Sequence, residues 1–380
     1  MIYLDNAATS FPKPPEVYDN TFRFMRESAG NPGRGVHHFS TASAQVIEDT
    51  RRAIAQLFAI PDSRRVIFAY NCTDGINIIL KGLLQKDDHV IASNLDHNSV
   101  SRPLQSLMQT RGIEVDRVPF DASGHLQIER VAGMIKRNTK IIVLTHGSNV
   151  LGSVQELEPF VALAAAEGRL LLLDAAQTAG RIPIAIRDAP VFVVCSGHKN
   201  LYGMPGIGIF TVPAGVNLSK WREGGSGTTS ESLQHPEDLP MALEAGTPNF
   251  LAIASLQQGI AFIQKEGMLK MHEQEMSLAL QLRDFLAGDD RFVLYSILSG
   301  NCLPVVPFNM LGASPAEVAT ILDQNFGIAV RSGLHCAAVL HAQLGTSPDG
   351  CLRVSPGYFN TPVQMQSLIA ALNQIAEAYR

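Results

Sequence analysis

Leu170-Leu171-Leu172-Leu173-Asp174-Ala175-Ala176-Gln177-Thr178 sets an unbroken apolar run directly against a carboxylate and an amide. A continuous run marks a strand buried on both faces, because a strand with one wet face alternates. The pattern recurs on either side. Val66-Ile67-Phe68, His89-Val90-Ile91-Ala92, Ile141-Ile142-Val143-Leu144, Val191-Phe192-Val193-Val194 and Ile207-Gly208-Ile209-Phe210 are further short apolar runs. Helix-like stretches separate them: between Val154 and Glu167, Leu157, Val161, Leu163 and Ala164 fall at helical spacing and Gly168 supplies a stop. Strands alternating with helices predict an α/β fold around a largely parallel sheet.

The tail reads differently. Leu256, Ile260 and Ile263 form one amphipathic stripe, and Met365, Leu368, Ile369, Leu372, Ile375 and Tyr379 form another that closes the chain. Short apolar runs, Val305 to Phe308 and Gly327 to Val330, lie between. We therefore expect a large domain over residues 1–255 and a smaller α+β C-terminal domain over 256–380, with the extreme N-terminal segment packing on the small domain. The stretch Gly224-Gly225-Ser226-Gly227-Thr228-Thr229-Ser230 reads as a surface loop.

The 380 residues are 46% hydrophobic and 17% charged, which is ample material for two cores. Thirty basic against 35 acidic residues give a net charge of −5, no footprint for nucleic acid or an anionic membrane. No apolar run approaches the ~20 residues of a membrane span, and the N-terminus lacks a signal-peptide pattern. Five scattered cysteines without a C-x-x-C pair suggest neither a disulfide framework nor a metal site. A soluble, cytoplasmic protein of a reducing compartment is the expectation.

Polar clusters follow five of the runs: Tyr70-Asn71-Cys72-Thr73-Asp74-Gly75, Ser93-Asn94-Leu95-Asp96-His97-Asn98, Thr145-His146-Gly147-Ser148-Asn149, Asp174 to Thr178, and Cys195-Ser196-Gly197-His198-Lys199-Asn200. In a parallel sheet these carboxyl ends share the edge where α/β proteins bind ligands. Lys199 is either solvated or an amine placed for a Schiff base. Asp174, ending a leucine run, needs a cationic partner, which a protonated pyridine nitrogen would supply. Cys72-Thr73-Asp74-Gly75 opens a helix suited to phosphate, and His97 carries a flat ring able to stack on a heterocycle. Amine, carboxylate, anion cup and flat ring together describe a pyridoxal-phosphate site. Two other readings stay open: a metallohydrolase built on His97, His146, Asp174 and His198, and a nucleotide site on Gly203-x-x-Gly206-x-Gly208. The first lacks any H-E-x-x-H pair, and the second has its glycines in the wrong order for a dinucleotide fingerprint.

Tyr3-Leu4-Asp5-Asn6-Ala7-Ala8-Thr9, Asn31-Pro32-x-Arg34-Gly35-Val36-His37, Asp174-Ala175-Ala176-Gln177, Ser196-Gly197-His198-Lys199 and Glu244-Ala245-Gly246-Thr247-Pro248 occur in that order. This order resembles the class V aminotransferase family, and within it the branch of cysteine desulfurases and selenocysteine lyases. The resemblance implies the fold-type-I architecture of pyridoxal-phosphate-dependent transferases, with pyridoxal 5'-phosphate as cofactor and a homodimer as the working unit. It implies that Lys199 binds the cofactor covalently, Asp174 pairs with the pyridine nitrogen, Gln177 bonds the phenolic oxygen and His97 stacks on the ring. Cys72, Thr73, Ser196 and His198 would surround the phosphate, with Thr247 reaching it from the partner subunit. Asn149 and Arg331 would take the substrate carboxylate.

The stretch Arg331-Ser332-Gly333-Leu334-His335-Cys336-Ala337 places Cys336 where the family keeps a sulfur-accepting nucleophile, with a histidine and an arginine nearby to favour the thiolate and Gly333 as a hinge. The other four cysteines are expected to be buried. Leu334 departs from the family's short-loop pattern Arg-x-Gly-His-His-Cys-Ala, which bears on rate and on the choice between sulfur and selenium. The implied reaction converts L-cysteine, or L-selenocysteine, to L-alanine. Another amino-acid reaction on the same cofactor, a transaminase, epimerase or hydrolase, is the alternative. The sulfur would pass to an acceptor protein in sulfur metabolism, iron–sulfur cluster assembly included.

Overall fold

The six apolar runs between Val66 and Phe210 all become strands of one sheet. The computed structural model describes residues 1–380 except 34, 228–230, 296–299 and 380, so Arg34 and the end of the glycine-rich loop lie outside the described residues. The chain opens with β1 (Ile2–Tyr3), α1 (Pro15–Glu27) and α2 (His38–Leu57). Strands and helices then alternate: β2 (Val66–Ala69), α3 (Cys72–Leu83), β3 (His89–Ser93), α4 (Asn98–Arg111), β4 (Glu114–Val118) and α5 (Ile128–Gly133). They continue as β5 (Thr139–Thr145), α6 (Leu157–Ala166), β6 (Leu170–Asp174), β7 (Val191–Ser196) and β8 (Gly208–Thr211).

These strands form a seven-stranded sheet in the order β2-β8-β7-β6-β5-β3-β4. From β7 to β4 every neighbouring pair is parallel. Strand β8 is antiparallel to both its neighbours, which leaves β2 running with the parallel set. The carboxyl ends of β2, β3, β5, β6 and β7 therefore share one edge, as the sequence pattern requires. Sequence reasoning missed β4: Glu114-Val115-Asp116-Arg117-Val118 is an edge strand with only two apolar residues, Val115 and Val118, one for the core on each side of the sheet.

A glycine fixes one junction at that edge. A Cβ at Gly208 would lie 2.2 Å from the backbone carbon of Asn71, so only glycine lets β8 pass beneath the start of α3. The glycines of 203–208 thus serve chain packing, which answers the nucleotide reading.

The second half contains α7 (Phe250–Glu266), α8 (Met268–Ala287), β9 (Phe292–Leu294), β10 (Val306–Met310) and α9 (Pro315–Phe326). It ends with β11 (Ile328–Ala329), β12 (Arg331–Gly333), α10 (Ala338–Leu344), β13 (Cys351–Val354) and α11 (Pro362–Ala378). Four of these strands make an antiparallel sheet, β12-β13-β10-β9. Its core gathers Leu278, Leu282, Phe308, Leu322, Leu368 and Leu372, and Leu4 joins it from the N-terminal segment. The same segment pairs in parallel with the small domain, Ile2 opposite Ile328.

The boundary expected at 255/256 falls inside α7. That helix lies on α1 and α2, and its Ile253, Leu256, Ile260 and Ile263 belong to the core of the large sheet. We therefore place the division near Gly267, between α7 and α8. The two units are also joined by a buried ion pair, Arg181 Nε to Glu275 Oε2 at 2.7 Å, with both side chains at most 5% exposed. Removing one partner strands the other charge in the interior. Arg181→Met should lower the free energy of urea unfolding by about 3–5 kcal/mol, and the double variant with Glu275→Leu should recover much of that loss. Equal loss in the single and double variants would show that the pair itself is not the source.

Candidate active site

A cavity of about 230 Å³ opens at the carboxyl edge of the large sheet. Cys72, Thr73, His97, Asn149, Asp174, Gln177, Ser196, His198, Lys199, Arg331 and Cys336 all line it. Thr247 does not. It is exposed in a separate groove with Glu244, whose carboxylate is gripped in two-pronged fashion by the buried Arg51 at 2.9 Å for each bond.

At one end of the cavity stands the first turn of α3. Its N-cap Asn71 accepts a hydrogen bond from the Asp74 amide at 2.8 Å. Cys72 and Thr73 line the cavity, and their amides precede the first intrahelical bond, as an anion site at a helix start requires. Opposite them lie Ser196 and His198. The His198 ring shares a 3.1 Å hydrogen bond with Thr9 through Nδ1. Burial and the charges of Lys199 and Lys13 push that ring down to about 4, so at neutral pH it is uncharged. Lys13 anchors the turn from behind by donating to the His198 carbonyl at 2.7 Å. Its amine is pushed down to about 8 by burial.

Lys199 follows directly, at the end of β7. Burial lowers its amine below the ordinary lysine value, against the opposing pull of Cys72 and Asp174. Asp174 is 5% exposed, and its carboxylate takes only the Ala176 amide at 3.0 Å and the Cys72 thiol at 3.9 Å. A nearly buried carboxylate with no ion-pair partner among the described residues is a demand for a cation. Gln177 donates to the Ala7 carbonyl at 2.9 Å and leaves its buried Oε1 without a partner. His97 caps α4, its Nδ1 accepting from the Ser99 amide at 3.0 Å, which leaves Nε2 to carry the ring proton. Burial lowers the His97 ring below its ordinary value, so it stays neutral.

The small domain supplies the remaining wall. After β12 the loop runs through His335 and Cys336, both in the left-handed region at φ 46° and 57°. Two successive non-glycine residues there cost roughly 1–2 kcal/mol each. The loop is held by the large domain: Asn149 donates to the His335 carbonyl at 2.8 Å, and the Asn98 amide to the Cys336 carbonyl at 2.7 Å. Gly333 sits at φ 104°, open only to glycine. Cys336 is the exposed cysteine of the chain, while Cys72, Cys195, Cys302 and Cys351 are buried and unpaired.

The family model described as aminotransferase class-V matches residues 2–368. The chain belongs to the class V aminotransferase family. A cysteine desulfurase from Yersinia pestis is 32% identical over 385 aligned residues, covering 99% of this chain and 93% of that protein. One from Salmonella agona is 31% identical with the same coverage. Among solved structures, the apo cysteine desulfurase of Thermococcus onnurineus NA1 superimposes with a TM-score of 0.92 at 27% identity, covering 99% of this chain and 95% of that one. The S-sulfonic acid form of cysteine desulfurase CsdA from Escherichia coli gives 0.88 at 28%, covering 99% and 94%. Fold type I is therefore the architecture of this chain.

Three side chains of the site, His335, Arg353 and Asp96, depart from the expectation drawn from the sequence. His335 does not assist Cys336 by charge. Its ring turns away to the Cys351 carbonyl at 3.0 Å, and burial together with Arg353 holds it down to about 2, neutral throughout. Arg353 lines the cavity and was not foreseen. It is 1% exposed within the apolar strand β13, bonded to the Asp5 carboxylate at 2.5 Å and the Asn149 carbonyl at 3.0 Å. An arginine inside the run Cys351-Leu352-Arg353-Val354 was the available signal, since such a charge is buried only with partners. Asp96 was also missed. Wholly buried, it accepts from Ser93 and from Thr145 Oγ1 at 3.0 Å, tying the ends of β3 and β5 together beneath His97.

The lowered Lys199 amine makes a prediction. Cofactor-free protein mixed with pyridoxal phosphate and reduced with borohydride should carry the pyridoxyl group on Lys199. Trapping should weaken as pH falls and the amine gains its proton, with a midpoint below the 10.5 of an ordinary lysine. Peptide mapping that finds the label on another lysine would refute the assignment.

Proposed function

We propose that this chain is a pyridoxal-phosphate-dependent cysteine desulfurase, and that the sulfur of L-cysteine passes to Cys336. The observation that carries the reading is the placement of an exposed thiol, a buried-site lysine and an unpaired arginine around one cavity. The donor set fits the cofactor. Lys199 would hold it covalently, Asp174 would meet the pyridine nitrogen, and the α3 amides with Thr73, Ser196 and His198 would hold the phosphate. His97 would lie against the ring. As it stands Gln177 offers an acceptor, suited to a protonated phenol; turning the amide over would set Oε1 against the Ala7 carbonyl. When bound, pyridoxal phosphate supplies an electron sink beside the substrate Cα.

The chain's own groups supply the rest. Among the described residues the Arg331 side chain makes no hydrogen bond or ion pair, so its planar fork is free for the substrate carboxylate. Arg353 adds positive potential from beneath while remaining tied to Asp5. Asn149 lines the same wall, but its amide is engaged by the His335 carbonyl and serves to hold the loop. The Lys199 amine would also be the base for moving the proton at the substrate Cα. The Cys336 thiolate attacks the substrate sulfur: the Sγ–S bond forms and the Cβ–S bond breaks. The electron pair of the broken bond remains on the substrate carbon and takes a proton at Cβ. L-Alanine and a Cys336 persulfide result.

The finer expectations belong to the same proposal. A homodimer would bring Thr247 of a second copy toward the phosphate, and its exposed place outside the cavity supports this. Passage of the sulfur to an acceptor protein in the cytoplasm, in iron–sulfur cluster assembly among other routes, follows from an exposed nucleophile. No helix among the described residues is long and apolar enough to cross a membrane.

Cys336→Ala holoprotein should still change its visible spectrum on adding L-cysteine, because binding does not need the thiol. It should release alanine at least about a hundredfold more slowly, the scale expected for loss of an essential nucleophile. L-Selenocysteine should be less affected, as its leaving group depends less on attack by a thiolate. Alanine formed from cysteine at the wild-type rate would make Cys336 structural and favour a different amino-acid reaction.

A further inference from the structure

Behind the Cys336 loop, His335, His341 and Cys351 come together from three different elements. Each offers one donor atom, and the three atoms lie within 4.8 Å of one another. His335 comes from the loop, His341 from α10 and Cys351 from β13. All three are buried, at 4%, 0% and 0% exposure. Their separation in sequence explains why no ligand motif was legible.

The polar atoms of the cluster are left over in a telling way. His335 uses Nε2 on the Cys351 carbonyl at 3.0 Å, and its Nδ1 is buried with no partner. His341 uses Nδ1 on Thr346 Oγ1 at 2.7 Å, and its Nε2 is buried with no partner. A neutral imidazole that donates to a carbonyl or hydroxyl through one nitrogen presents a lone pair on the other. That is the arrangement in which metal-binding histidines are held by their surroundings. Without a ligand the two buried ring nitrogens stay unsatisfied among the described residues.

We propose that His335, His341 and Cys351 bind a zinc ion. One thiolate and two imidazoles form a borderline-soft donor set, and a tetrahedral ion needs only a water to complete it. Around such an ion the donor atoms would stand about 3.3–3.6 Å apart, so binding draws no pair inward by more than about 1.5 Å. Binding releases the Cys351 thiol proton and involves no electron transfer. The ion would clamp the peptide next to Cys336 onto β13 and α10, fixing the root of the strained loop. The inference concerns metal content and does not rest on the desulfurase reading.

The test uses full-length protein loaded with pyridoxal phosphate, with the exposed Cys336 first blocked by iodoacetamide so that it cannot hold metal. After equilibration with zinc and gel filtration, the protein should retain one zinc per chain. Cys351→Ala should retain none while keeping its cofactor spectrum, which shows that the fold survives. His341→Phe provides a second variant should the first fail to fold. Cobalt(II) in place of zinc should give a sulfur-to-cobalt absorption band that vanishes in Cys351→Ala. Zinc absent from the wild-type protein, or retained equally by both variants, overturns the site and leaves a bridging water as the occupant.

Discussion

Leu171, Leu172 and Leu173 are wholly buried, and the first polar side chain on that strand, Asp174, emerges where the sheet ends. Burial on both faces forbids polar groups along the central strands, so their chemistry must gather at the carboxyl edge. β2 delivers the anion-binding start of α3, β3 delivers His97, β6 delivers Asp174 and β7 delivers Lys199. The same burial desolvates these groups: it lowers the Lys199 amine and leaves Asp174 without a cation. A cofactor carrying an aldehyde, a protonated ring nitrogen and a phosphate answers all three demands at once.

The proposed nucleophile obeys a different logic. Cys336 does not come from the sheet edge but from a loop of the small domain, laid across it. Hydrogen bonds from Asn98 and Asn149 to successive carbonyls hold two left-handed residues in place. A residue that must receive sulfur inside the cavity and deliver it outside needs a support that can be released. Local strain opposed by a few cross-domain hydrogen bonds provides one. Arg353 shows how closely the domains cooperate, since one buried guanidinium joins Asp5, the Asn149 carbonyl and the cavity.

The large sheet was legible because its strands are continuous apolar runs, and the site because each run ends in a polar cluster. Edge strand β4 escaped, since two valines among three charged residues resemble a loop as much as a strand. The domain boundary was set too early because the stripe of Leu256, Ile260 and Ile263 is amphipathic wherever it packs, and it packs on the large domain. Contacts distant in sequence were not legible. Arg353 reaches the site only through the pairing of β13 with β12, and His335 turns from Cys336 only because Cys351 lies behind it. Residue types reveal chemistry at strand ends; they do not reveal which way a side chain turns in a folded loop.

The central claim is that the cavity passes sulfur from L-cysteine to Cys336. Holoprotein given a single equivalent of L-cysteine bearing a heavy sulfur isotope, without reductant, can be digested and its peptides weighed. The account predicts one labelled sulfur added to the peptide containing Cys336, in the same amount as the L-alanine formed. Labelled sulfur on Cys72, Cys195, Cys302 or Cys351, or alanine formed with no protein-bound label, would contradict it.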